Sequence, residues 1–164
     1  MIPENFIAAL SQIVSALEGK DISWAVTGSM GFALQGVPVT PNDIDLQTDT
    51  VGAYEIEQHF CDQVVRSVTR KTSEQMRSML GRFMLGDVKV EIMGDVQKCQ
   101  PDDTWEPPVD IEEHKRWIEF EGMQVPVLDL AYEQMAYLKM GRLETAAMLG
   151  EWLEGRGQDN NEQK

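Results

Sequence analysis

Two carboxylates one residue apart, Asp43 and Asp45 in PNDIDLQTD, are the residues of this sequence whose types and spacing most suggest chemistry. In a strand, residues two apart project to one face. The two acids would therefore stand together, with Ile44 and Leu46 turned to a core behind them. Like charges held that close raise each other's pKa unless a cation is shared. Mg²⁺ suits such a pair, because it takes one or two carboxylates and completes its octahedron with substrate phosphates. A third acid is expected on a neighbouring strand. VKVEIM supplies Glu91, with Val90 and Ile92 facing the core and Lys89 on the side of Glu91. Asp87 and Asp95 compete for that role from predicted turns, where Asp is common for local reasons.

Upstream, Gly28-Ser29 closes one apolar run and opens another. Backbone N–H groups at a helix start attract anions, and a glycine there lets a phosphate approach closely. A serine at such a place is also an ordinary helix cap. It is the combination of Gly-Ser turn, paired acids and third acid that points to a metal-bound nucleoside triphosphate. On this reading the empty site is strained, and Asp43→Asn is expected to stabilise the metal-free protein.

The elements that must position these groups follow from periodicity. Residues 4–18 carry apolar side chains at helical spacing up to Gly19, and Asp21–Thr27 alternates as a short buried strand. A short helix is expected over Ser29–Gln35, ending at Gly36, then a loop bracketed by Pro38 and Pro41. Asp43–Gln47 reads as the second strand and 51–66 as an amphipathic helix. Strands are expected at 79–85 and 88–93, joined at Gly86-Asp87. The Pro- and Asp-rich segment 97–110 reads as a surface loop, with Trp105 as its anchor. RWIEFEGMQVPVL reads as a hairpin turning at Glu121-Gly122. Helices over 129–141 and 143–154 and a polar tail, 155–164, complete the chain. The basic stretch TRKTSEQMR, with Arg66 just before it, reads as a solvated helix end. This order implies a single α+β domain over 1–154, one mixed β-sheet with helices packed against it.

Composition narrows the function classes. With 164 residues, 42% hydrophobic and 26% charged, the chain suits one soluble globular domain. No apolar run reaches the ~18 residues of a membrane span, and MIPENF lacks the basic start and apolar run of a signal peptide. A cytoplasmic protein with no membrane partner is expected. A net charge of −14 repels nucleic acid and leans towards a cationic small molecule. Cys61 and Cys99 have neither disulfide nor metal spacing and are expected to be reduced and partly buried.

Residues 24–49, with GSMGFALQGVPVTPNDIDL at their centre, resemble the signature of nucleotidyltransferases with the polymerase-β-like fold. The long Gly-to-Asp spacing is similar to the branch that holds antibiotic nucleotidyltransferases and abortive-infection nucleotidyltransferase toxins. VLDLAYEQMAYLKMGR is similar to that branch's C-terminal segment. The resemblance implies transfer of a nucleoside monophosphate, AMP from ATP as the expected case, to a hydroxyl of a small molecule or macromolecule. It implies that Gly28 and Ser29 hold the triphosphate and that Asp43 and Asp45 bind Mg²⁺ or Mn²⁺. Glu91 would be either the general base or a metal ligand. Lys139, with Arg142 as a second candidate, would neutralise phosphate charge. Three positions depart from the branch: Val39 stands where Arg is frequent, Glu144-Thr145 where Lys-Asp is frequent, and Glu91 where Asp is commoner. The alternative is a member without turnover that binds nucleotide or a toxin–antitoxin partner.

Overall fold

The computed structural model describes residues 1–162, with side chains through Arg156. The chain runs α1 (Glu4–Leu17), β1 (Trp24–Thr27), α2 (Gly28–Leu34), β2 (Ile44–Thr48) and α3 (Thr50–His59). A single 3-10 turn, Cys61–Gln63, leads to β3 (Val64–Thr72), β4 (Met76–Leu85) and β5 (Val88–Lys98). Then come α4 (Ile111–His114), β6 (Lys115–Phe120), β7 (Met123–Leu128), α5 (Leu130–Lys139) and α6 (Leu143–Glu162). The expected tail, 155–164, lies largely outside the described side chains.

The strands form one mixed sheet in the order β3-β4-β5-β2-β1-β7-β6. β2 pairs parallel with β5 and β1 parallel with β7, while the other pairings are antiparallel. The fold is therefore a single α+β domain. Strand alternation divides the sheet into two faces. Ile44, Leu46, Val90 and Ile92 join Phe6, Leu10, Ile13 and Leu17 of α1 and Ile56 of α3 in the main core. The intervening residues face the other way, towards α5. A smaller cluster of Phe32, Val37, Leu130 and Leu149, with Val39 packed on it, fastens α2 to α5 and α6. Val39 is thus a packing residue here.

Local chemistry fixes the element ends. Asp49 caps α3 by accepting from Gly52 N–H at 2.7 Å, and Asp129 caps α5 by accepting from Ala131 N–H at 3.2 Å. Each satisfies a backbone donor that the helix start leaves free. Between β6 and β7 the chain reverses at Glu121-Gly122, both at positive φ.

The segment 51–66 differs from expectation. The helix stops at His59, where Phe60 leaves it to stack on Phe83 at 4.5 Å between ring centroids. Residues 64–72 form the edge strand β3, in which Val68 alone is buried. One buried residue in nine gives no period-two signal to read. The strand is held by its antiparallel pairing with β4, and Val68 packs over Gly81, where a Cβ would come within 2.6 Å of Val68 Cγ2. TRKTSEQMR is correspondingly the β3–β4 hairpin, not a helix end; its turn is closed by Ser73 N–H donating to Met76 O at 2.8 Å. β4 and β5 are longer than predicted, β5 passing through a kink at Asp95, whose φ is 49°. Cys61 is exposed rather than partly buried, and Cys99 is partly buried. Trp105 lies under the Arg77 guanidinium at 4.5 Å and anchors its loop.

Candidate active site

The centre of the sheet brings Thr27, Asp45 and Glu91 into one row, since Thr27 pairs with Asp45 and Asp45 with Glu91. Gln47 and Met93 form the next row. All five line a cleft of about 470 Å³ whose opposite wall is α5, through Tyr132, Glu133, Ala136 and Tyr137. That volume is within the usual range for small-molecule sites. The same alternation that buries Ile44 and Ile92 therefore sends Asp45 and Glu91 into the cleft. Asp43 also lines it, although it sits in the bend just before β2.

The three acids meet different surroundings. Glu91 accepts from Arg82 at 2.8 Å and faces Lys89 at 3.6 Å; Asp43 faces the same Lys89 at 3.3 Å. Asp45 has no ion pair among the described residues. Burial, then the charges of Asp43 and Glu91, push its pKa up to about 7. At Asp45, burial is thus the larger cause of strain and like charge the smaller. Neither competitor acid enters the cleft. Asp87 accepts from Asn5 Nδ2 at 3.1 Å, and Asp95 accepts from Thr50 N–H at 3.0 Å and Thr50 Oγ1 at 2.5 Å.

Gly28 sits at φ 69°, a conformation that favours glycine, and a Cβ there would lie 2.5 Å from Asp45 Oδ2. Its backbone N–H is held by Glu133, which also accepts from the Thr27 hydroxyl. Glu133 is 3% exposed, and burial pushes its pKa up to about 7, against the lowering effect of those two hydrogen bonds. Ser29 Oγ accepts from Asn42 N–H at 3.2 Å, which ties the approach to β2 to the turn.

The cations are not arranged as expected. Lys139 pairs with Glu106 at 3.0 Å and lines a separate cavity of about 450 Å³. Arg142 lines the cleft and acts favourably on Asp45. The remaining cations of the lining are Lys71, from the β3–β4 hairpin, and Lys98, at the end of β5. Lys98 is 6% exposed and donates to Tyr132 OH at 3.1 Å; burial draws its pKa below the usual lysine range. Sequence reasoning missed Lys98 and Glu133, and it placed Lys71 in a basic stretch that could contact phosphate but read that stretch as a solvated helix end. Glu133 occupies the fourth position of α5, on the face that carries Leu130 and Tyr137, a polar residue in an otherwise apolar stripe that could have flagged it.

No group of three His, Cys, Asp or Glu side chains among the described residues forms a ready cage for a metal ion. The oxygen donors nevertheless suit Mg²⁺, which is held by one or two carboxylates together with substrate phosphates. Asp43 and Asp45 supply two, and the crowding of negative charge on Asp45 is what a divalent cation would relieve.

Fold and cleft together are those of a nucleotidyltransferase. A candidate nucleotidyltransferase from Thermotoga maritima has 47% sequence identity and a TM-score of 0.84, over 94% of this chain and 96% of that one. The chain belongs to the aminoglycoside-2''-adenylyltransferase family, whose profile matches residues 9–151. The fold is shared more distantly with a lincomycin-bound lincosamide adenylyltransferase, at TM-score 0.53 and 11% identity over 88% of this chain and 98% of the other. It is also shared with ANT(2'')-Ia in complex with adenylyl-2''-tobramycin, at TM-score 0.52 and 12% identity over 92% and 98%. No curated protein sequence gives a match. No helix among the described residues is long and apolar enough to cross a membrane.

Proposed function

We propose that this chain transfers AMP from ATP to a hydroxyl of a small molecule, with Mg²⁺ or Mn²⁺ held by Asp43 and Asp45. The observation that carries this reading is Asp45, a partly buried carboxylate in no ion pair among the described residues, set beside Asp43, Glu91 and Gly28. A bound divalent cation supplies charge neutralisation and polarisation of the phosphoryl group under attack.

The chain's own residues account for the rest. Glu91, oriented by Arg82 and Lys89, takes the proton of the acceptor hydroxyl. The acceptor oxygen then bonds to the α-phosphorus as the bond to pyrophosphate breaks. Gly28 gives the triphosphate room to lie against the turn, which Ser29 braces through Asn42, and Arg142 and Lys71 offset the charge that builds on pyrophosphate. Catalysis of this kind depends on position and electrostatics more than on covalent chemistry. Membership of an adenylyltransferase family supports turnover over a toxin–antitoxin binding role.

The test is linkage. ATP at ~100 times its dissociation constant should stabilise the fold by about 2.7 kcal/mol, and only with Mg²⁺ or Mn²⁺ present. Equal stabilisation in chelator would sink the paired-carboxylate reading. Release of pyrophosphate from labelled ATP across a panel of hydroxyl compounds would then identify the acceptor.

A further inference from the structure

The cleft extends past the row of Asp45 and Glu91, and its far part has a different chemistry. Met93 lies ~7 Å further along β5 from Glu91, at the usual strand rise, and Val96 and Lys98 line the cleft beyond it. Met76, Leu80, Ala136 and Met140 close this part with apolar surface. Two polar groups in it are incompletely satisfied. Gln47 Oε1 is buried and has no hydrogen-bond partner. The Lys98 ammonium has three donors and one partner, Tyr132 OH at 3.1 Å; among the described residues no carboxylate lies within ion-pair distance of it, and Glu106 and Glu133 act on it only from further off. Buried polar groups of this kind are normally paired, so their open valences define what a ligand must bring. The ligand needs an acceptor for Lys98, a donor for Gln47 and an apolar body between that end and Glu91.

We infer that this end of the cleft is an acceptor subsite specific for an amphiphilic hydroxyl compound with a neutral or anionic polar end, and that Lys98 excludes polycations from it. This rests on the reading of Glu91 as the group that meets the acceptor hydroxyl. The acceptor's body then has to occupy the part of the cleft that continues along Glu91's own strand. A polycationic aminoglycoside would set an ammonium against Lys98 in a poorly solvated place, where like charges repel strongly. Net acidity would still draw such a molecule to the surface, but the subsite would reject it.

The experiment uses the full chain with isotope-labelled methionine methyls, so that Met93 reports on the subsite. The probes are para-carboxyphenyl β-glucoside, phenyl β-glucoside and tobramycin, each titrated with and without Mg-ATP. The carboxylate probe should shift Met93 and bind at least ~10-fold more tightly than the phenyl compound, the usual gain from a hydrogen bond to a charged group. Lys98→Met should erase that difference, with the methionine spectrum itself reporting that the fold is intact. Lys98→Gln, which retains a donor, should keep part of it. Tobramycin should leave Met93 unmoved in the wild type. The inference is overturned if Met93 ignores the carboxylate probe, if the preference survives Lys98→Met, or if tobramycin shifts Met93. Displacement of the probe by Mg-ATP would also overturn it, by giving the subsite to the nucleobase. Because the carboxylate preference is read in the arm without nucleotide, its failure is separate from failure of metal-dependent ATP binding, measured on the same sample.

Discussion

Asp45→Asn should make the metal-free protein more stable while removing its activity. The carboxyl's pKa rises from 3.8 to about 7, which at ~1.4 kcal/mol per decade caps the native-state penalty of ionising it at about 4 kcal/mol. Asn keeps the volume and drops the charge, but leaves an amide to be desolvated in the same place, at a cost of ~1–2 kcal/mol. A net gain of about 2 kcal/mol is expected near pH 8 in chelator. The sign depends on pH in a defined way. Below the unfolded value the wild-type carboxyl is protonated in both states and carries no penalty. As pH rises towards the folded value of about 7, the wild type loses stability and the variant does not. At the acid end, where only the amide cost remains, the variant should be the less stable by ~1–2 kcal/mol, and it should overtake the wild type between about pH 4 and pH 7. Glu133 is present in both proteins, but the Asp45 charge helps to raise its pKa, so the variant also relieves part of Glu133's decline over the same range and the gap widens. Urea denaturation of the two proteins in chelator at three pH values measures this. Saturating Mg-ATP should reverse the order, since only the wild type gains the full linkage energy. A variant less stable than wild type at pH 8, or a gap that does not change with pH, would refute the reasoning. Asp43→Asn, expected from the sequence to behave this way, should gain less, since it removes one of the charges that raise Asp45 but also a partner of Lys89. Asp43 already has Lys89 at 3.3 Å, and a half-exposed pair of that kind contributes ~0–1 kcal/mol.

Other substitutions separate roles within the cleft. Gly28→Ala should destabilise by ~2 kcal/mol or more through its positive φ and its collision with Asp45 Oδ2 at 2.5 Å, and should abolish Mg-ATP binding in a thermal-shift assay. Glu91→Gln should lower turnover by ~10²-fold or more while Mg-ATP affinity changes little; full activity would remove Glu91 from the base role. Lys139→Ala should leave nucleotide affinity within about twofold, because its ammonium is committed to Glu106 at 3.0 Å, whereas Arg142→Ala should weaken it. Calorimetric titration of both variants decides between them, and the opposite ranking would restore the sequence-based assignment.

The floor of the site was legible because strand alternation is a local property. Once Ile44 and Leu46 are assigned to the core, Asp45 must face away, and the same holds for Glu91 between Val90 and Ile92. The wall facing that floor was less legible. Lys98 and Glu133 come from elements far apart in the chain, and no spacing in the sequence announces that they share a cleft. Lys139 was misplaced because helix membership alone does not say which face a side chain takes, and Glu106 lies where it captures the ammonium. The edge strand β3 escaped notice because a strand at the margin of the sheet, with Val68 its one buried residue, need not alternate.

The pairing of β1 with β7, at Val26 and Val127, has a consequence for biosynthesis. The first half of the chain holds both aspartates and the Gly-Ser turn, yet β1 has only one neighbour until the chain beyond residue 125 has been made. Contacts that distant in sequence are slow to form, since loop closure precedes any gain from them. On the ribosome, a nascent chain would therefore carry its acidic groups on an unfinished sheet, without the α5 wall that makes a cleft of them. A binding-competent site should arise only as the last third docks, so chains truncated before α5 should bind no nucleotide rather than bind it weakly.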